Sequence, residues 1–190
     1  AADDHFDWQI GYTGTLQHGV ALVNNDFSNR GIEADNNQQD FSLQPVSNPK
    51  LYNFTLVGNP NGTRDEGTSV AAVWLRRGTA GTLANFVATG WHQNGFNISD
   101  QATIDRVAAN TLTLDGIILW NNGSNANKPN TIAGQTTANA LPWLSGQSGT
   151  ARNVRVVNPM LRRPMEYSDP DFRPMPGSPV MGPNWVQPPD

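Results

Sequence analysis

Two groups of side chains in this sequence have the types and spacing to do chemistry. The first is acidic: Asp3, Asp4 and Asp7 crowd the start of the chain, and Glu33 and Asp35 follow as an alternating pair. Carboxylates of this kind can hold Ca²⁺, a hard cation that takes six to eight oxygens. Read plainly, they decorate outward turns and keep an edge soluble, and no D-x-D-x-D-G loop or G-G-x-G-x-D repeat accompanies them. The second group is Arg76-Arg77. Beside Ca²⁺ an arginine can act as the base of a polysaccharide lyase. A glycosidase instead needs two carboxylates about 5 to 9.5 Å apart, which Asp7 with Glu33 or Asp35 would supply on neighbouring strands. Otherwise these arginines pack an aliphatic stem or lie at an exposed corner. Trp74, Trp91 and Trp120 are either core fillers or a shelf for sugar rings. Together with Arg76 and Arg77 they are the candidates for binding. His5, His18 and His92 lie too far apart in sequence to show metal-ligand spacing, and no Gly-rich phosphate loop, G-x-S-x-G or H-E-x-x-H occurs. No residue is assigned as catalytic.

A repeat must position these groups. The stretch Leu51–Asn59 aligns with Gln17–Asn25, Leu83–Trp91, Leu114–Asn122 and Ala151–Pro159, at starts 34, 32, 31 and 37 residues apart. The third position reads Gly19, Asn53, Asn85, Gly116 and Asn153; the eighth reads Asn24, Gly58, Gly90, Asn121 and Asn158. Gly and Asn enter left-handed backbone most cheaply, so each window is a short strand bracketed by sharp turns. The fourth position (Val20, Phe54, Phe86, Ile117, Val154) and the sixth (Leu22, Leu56, Ala88, Leu119, Val156) are apolar and two apart. On a strand they share one face, while the variable fifth position (Ala21, Thr55, Val87, Ile118, Arg155) points away. A second alternating column precedes the first four windows: Phe6–Gly11, Gly31–Asp35, Val73–Gly78 and Gly95–Ser99. Long 3.6-residue periodicity is absent, which excludes helical repeats of this length. Parallel strands stacked as coils remain, with turn asparagines able to form amide ladders. The spacing predicts one excursion, a short helix within Ser99–Asn110 capped by Ser99 or Asp100, with Ile104, Val107 and Ala108 on one face.

Composition narrows the function classes. The net charge of −4 gives no electrostatic grip on nucleic acid or an anionic membrane. With no cysteine, disulfides, thiolate metal sites and cysteine nucleophiles are all excluded. No apolar run approaches the roughly 20 residues of a membrane helix, and no signal peptide is visible. Residues 126–150 read as a polar insertion anchored by Leu141, Trp143 and Leu144. From Pro159 on lie nine of the fourteen prolines, which predicts an extended strap held by Met160, Leu161, Phe172 and Trp185.

Asp4-His5-Phe6-Asp7-Trp8 with Gly11-Tyr12-Thr13-Gly14, then Gly31–Asn36, then Leu75–Gly81, resemble successive rungs of a group of exported bacterial proteins. Those are right-handed parallel β-helices, often lipoproteins or surface proteins. The tail Phe172–Val180 is similar to the segment that follows the last coil in many β-helix proteins. The resemblance implies an extracytoplasmic protein of the periplasm or cell surface, and a chain that is part of a longer product. The group has no assigned activity, so no catalytic residue is implied.

The expectation is an all-β protein: a right-handed parallel β-helix of about five coils over residues 1–158, then a proline-rich segment over 159–190. Its expected role is a non-catalytic scaffold or accessory subunit that contacts protein partners through a face or an end. Phe6, Trp8 and Ile10 are the residues an open end would offer. The alternative is a polysaccharide-binding module, lyase or glycosidase. No cofactor is expected beyond Ca²⁺ at the acidic set, and no nucleic acid or membrane span.

Overall fold

The computed structural model describes residues 3–23, 28–61, 70–123, 130–132, 151–183 and 185–189. Alternating apolar residues build two parallel sheets. Sheet A orders β1 (Phe6–Trp8), β4 (Arg30–Ala34), β6 (Ala71–Leu75), β8 (Asn94–Ile98) and β10 (Asn130–Ile132). Sheet B is built on β5 (Lys50–Val57), β7 (Gly81–Thr89) and β9 (Leu112–Trp120). On the β5 side it ends in β2 (Thr15–Gln17) and β3 (Val20–Leu22), and on the β9 side in β11 (Ala151–Arg152) and β12 (Arg155–Val156). The chain visits sheet A and then sheet B, over and over, so each rung lies parallel on the one before. This is a parallel β-helix. The polar stretch 126–150 contributes β10, which pairs with β8 and continues sheet A; Leu141, Trp143 and Leu144 lie outside the described residues. Beyond the rungs, β13 (Leu161–Arg163) and β14 (Asp171–Pro174) form an antiparallel ribbon.

The core lies between the sheets. Ile32, Val73 and Phe96 stack in one file of sheet A, and Phe54, Phe86 and Ile117 in one file of sheet B. All six are essentially buried. Phe54 stacks on Phe86 at 5.1 Å, and Phe86 meets Phe96 edge-on at 6.1 Å, which ties rung to rung and sheet to sheet. Each such aromatic pair adds about 0.5–1.5 kcal/mol beyond the area it buries. Val154 extends the file and packs against the core.

The first rung departs from the sequence alignment by one residue. Val20 pairs with Thr55, not Phe54, and is 51% exposed; Ala21 is the buried residue. A one-residue slip exchanges the two faces of a strand. The cause is Gly19. A Cβ there would lie 2.1 Å from the Phe54 ring, so Gly19 is the inward position vacated for Phe54. Phe6 reaches across from sheet A to meet the same ring at 5.3 Å. The left-handed turn falls to His18 (φ 63), matching Asn53 (62), Asn85 (62), Gly116 (65) and Asn153 (53). The third position is therefore His in the first rung, and the Gly-or-Asn rule holds for the other four.

The helix α1 (Gln101–Ala108) starts where expected, with Asp100 as N-cap accepting from the Thr103 amide at 2.9 Å. Its buried face differs. Thr103 and Val107 point in with Ile104 packed beside them, while Ala108 is exposed. Thr103 belongs inside because its hydroxyl bonds Asp100 and accepts from the Gly78 amide at 2.9 Å. Among the described residues, no helix is long and apolar enough to cross a membrane.

Candidate functional site

Sheet A turns one column of side chains outward: Asp7, Glu33, Trp74 and Asn97, in register on successive strands. Their neighbours Ile32, Ala34, Val73, Leu75, Phe96 and Ile98 all point into the core. Just past the strand ends the ladder continues through Asp35, Arg76 and Ser99, whose amides donate to Trp8, Ala34 and Leu75 carbonyls on the preceding rung at 2.9–3.0 Å. Strand alternation thus places Glu33 and Asp35, and Trp74 and Arg76, on one face.

The charges on this face bind one another. Arg76 donates through Nε to Asp35 Oδ1 at 2.6 Å and through Nη2 to Glu33 Oε1 and to Asp35 Oδ2. Arg77 adds Nη1 to Asp35 Oδ2 at 2.5 Å. Arg30 bridges Glu33 Oε2 at 3.0 Å and lies 3.7 Å from Asp4 Oδ1. The guanidinium carbons of Arg30 and Arg76 sit 3.9 and 4.1 Å from the Trp74 ring centroid, inside cation–π range. The indole Nε1 of Trp74 donates to Ser99 Oγ, which in turn donates to Asn97 Oδ1 at 3.2 Å. The carboxylate of Asp35 is 5% exposed and that of Glu33 is 14% exposed.

Burial sets the electrostatics. It pushes Asp4 up to about 7, helped by the Glu33 carboxylate and opposed by Arg30. Glu33 is raised by burial against the pull of Arg76 and Arg30. Asp7, at the surface, is raised by partial desolvation and by Asp35, and Arg30 is lowered by burial. Two buried polar atoms here lack a hydrogen-bond partner among the described residues, Asp4 Oδ1 and Arg30 Nε. The first two rungs of this face therefore carry incomplete compensation at Asp4 and Arg30, while the oxygens of Glu33 and Asp35 are paired with arginines.

A family model described as a pectate-lyase-like β-helix domain matches residues 1–156. The chain belongs to that β-helix family. No curated protein and no solved structure matches it.

Within this β-helix domain the acidic residues read from the sequence part company. Asp3 and Asp7 are exposed, Asp4 is turned toward Arg30, and Glu33 and Asp35 are held by arginines. Among the described residues, no group of three or more acidic or histidine side chains is gathered to hold a metal ion. The three tryptophans do not make one shelf. Trp74 lies on the sheet A face. Trp91 is fully buried with Nε1 donating to the Leu56 carbonyl at 3.1 Å, and its ring fits because Gly31 has no side chain. Trp120 is half-buried at the far end of β9. Phe6 and Trp8 are covered by the chain itself, Trp8 donating to Thr79 Oγ1 at 3.1 Å, while Ile10 is 65% exposed and Tyr12 and Val20 are also exposed. A pocket of about 240 Å³ opens there between Asp7, Trp8, Gln9 and Tyr12. Arg30 was not singled out by the sequence reading. Its position three residues before Glu33, at the mouth of an alternating strand, was the available signal.

Proposed function

We propose that this β-helix domain is a non-catalytic, exported scaffold of the bacterial periplasm or cell surface, right-handed, of about five coils with a C-terminal strap. It contacts a protein partner through its first-rung end, where Ile10, Tyr12 and Val20 expose apolar area. The carrying observation is the closed network on sheet A: Glu33 and Asp35 have their oxygens committed to Arg30, Arg76 and Arg77. A catalytic carboxylate or arginine must face its substrate in the right protonation state, and these face each other. Three arginines against Asp4, Asp7, Glu33 and Asp35 also leave the face without a net positive charge, which suits stacking and display more than capture of an acidic polymer.

One observation favours a second reading, polysaccharide binding or cleavage. Asp4, held near neutral pKa beside ionisable Glu33, has the unequal-pair character of an acid–base couple. A panel of neutral and acidic polysaccharides, with and without Ca²⁺, separates the two. The scaffold reading expects neither binding nor unsaturated or reducing-end products. Product formation that Asp4→Asn abolishes would overturn it. Retention of a partner from an envelope extract, lost on Val20→Asp or Ile10→Asp, is the positive arm.

A further inference from the structure

The outward face of sheet B is built differently, and the chain's own C-terminal segment lies on it. Thr55, Val87, Ile118 and Arg155 stand in register there, pointing away from the solenoid core. Val87 and Ile118 are nonetheless buried, because Leu161, Val157, Val180 and Trp185 pack over them. Beside this apolar strip runs an amide pair. Asn85 Nδ2 donates to Asn53 Oδ1 at 2.8 Å and to the Val186 carbonyl at 2.7 Å. Asn85 Oδ1 accepts from the Val186 amide at 2.8 Å. One side chain thus satisfies both the N–H and the C=O of a single residue. This grips a backbone without reading its side chain; the reading is left to Trp185 on the apolar strip.

The segment is lightly held otherwise. Among the described residues, no backbone–backbone hydrogen bond reaches 185–189, and the remaining polar ties are Trp185 Nε1 to the nearby Val180 carbonyl and Gln17 Nε2 to the Pro189 carbonyl at 3.1 Å on the surface. An open pocket of about 270 Å³ adjoins it, lined by Asn53, Phe54, Thr55, Asn85, Val87, Val180 and Trp185. Pro188 and Pro189 stiffen an extended conformation and lower the ordering cost of docking.

We propose that the outward face of sheet B is a docking groove for an extended, proline-flanked peptide carrying a tryptophan, and that residues 185–189 are an exchangeable ligand which a second copy of this chain can supply. The same contacts form in cis or in trans, so exchange needs no new interface. In cis the segment competes at high effective concentration, which keeps the groove filled. The inference is independent of whether the domain contacts a protein partner through its first-rung end or a sugar on sheet A.

Two variants of the 190-residue chain test it by complementation. Asn85→Gly removes the grip and keeps the left-handed turn, as Gly116 does at the same place on the next rung. It carries an intact segment and a defective groove. Trp185→Ala carries an intact groove and a defective segment. Each variant alone should elute as a monomer by size exclusion with light scattering, and their mixture should form a one-to-one complex. A labelled peptide of residues 178–190 should bind Trp185→Ala saturably, and about ten-fold more weakly when Asn85→Gly is added or when the peptide's own tryptophan is replaced. Circular dichroism checks that both variants are folded. A mixture that stays monomeric, or peptide binding indifferent to Asn85 and Trp185, overturns the proposal. If one variant does not fold, the peptide titration against the other and against wild type decides, and absence of saturable binding to both overturns it. Equal binding of an unrelated tryptophan- and proline-containing peptide overturns the assignment to a second copy.

Discussion

The two outward faces of this β-helix solve the same problem in opposite ways. Each must dispose of side chains that the strand period turns away from the core. Sheet A carries Arg30, Glu33, Trp74, Arg76 and Asp35 and closes them into ion pairs around an indole. Sheet B carries Val87 and Ile118 and hides them beneath the C-terminal segment. Charges at fixed register compensate between neighbouring rungs and need no cover from outside the coils. An apolar column cannot compensate itself and must recruit a cover from far along the sequence. The first face should therefore fail through an uncompensated charge, and the second through loss of its cover.

The largest effect should come from breaking the sheet A network. Asp35 is buried and accepts from both Arg76 and Arg77. Asp35→Ala strands those cations in a poorly solvated place, and removing one partner of a buried pair costs about 3–5 kcal/mol. Urea unfolding at neutral pH measures it. A loss below about 1 kcal/mol, the usual worth of a surface pair, would show the network to be solvated.

Next comes the incomplete first rung. Asp4 is raised to about 7 chiefly by burial. Its folded form keeps a proton that the unfolded chain has already lost, so the folded state binds more protons between about pH 4 and 7. This contribution to stability is full below the ordinary carboxylate range and is lost as pH rises through about 7. Asp4→Asn should match wild type near pH 4 and exceed it by about 2 kcal/mol near pH 8, after discounting for solvent and for the weakened Arg30 contact. Raised Glu33 and Asp7 act in the same direction, so a residual slope should persist in the variant. Parallel pH profiles for the two proteins would sink the assignment.

On sheet B, Ile118→Ala should cost about 2 kcal/mol, the low end for a buried aliphatic truncation, because a lightly held cover can settle into the gap. Limited proteolysis should then cut residues 185–189 faster than in wild type. The matching change on sheet A, Asp35→Ala, should leave that cleavage rate unchanged.

How much of this was legible in the sequence follows from where each constraint is local. The rungs from Leu51 onward were legible, because an Asn or Gly at φ near 60° and an apolar residue next to it recur together. The first rung was misread by one residue, because Gly19 looks like a turn glycine and serves instead as room for Phe54. That is a contact between residues 35 apart, and nothing local marks it. The Glu33–Arg76 and Asp35–Arg77 pairs were visible as residues but not as partners, since pairing depends on which rung lies on which. The fifth position looked unconstrained for a related reason. Thr55, Val87, Ile118 and Arg155 differ because the C-terminal segment covers the middle two, a fact fixed by residues 157–185.

The smallest effect separates Trp74 from Trp185. Among the described residues, Trp74 lies under two guanidiniums, at 3.9 and 4.1 Å from its centroid, whereas Trp185 has one, Arg155, at 6.0 Å, the limit of the range. Both indoles also donate through Nε1, Trp74 to Ser99 and Trp185 to the Val180 carbonyl. Replacing each by Phe and by Leu removes that donor in all four variants, so the Phe–Leu difference isolates what the ring does for its cations. At Trp74, Phe should be more stable than Leu by about 1 kcal/mol. At Trp185 the two should differ by less than about half of that, since the ring there works mainly as apolar area. Equal differences at the two sites would mean that the arginines on sheet A are held by Glu33 and Asp35 alone, with the indole a spacer between them.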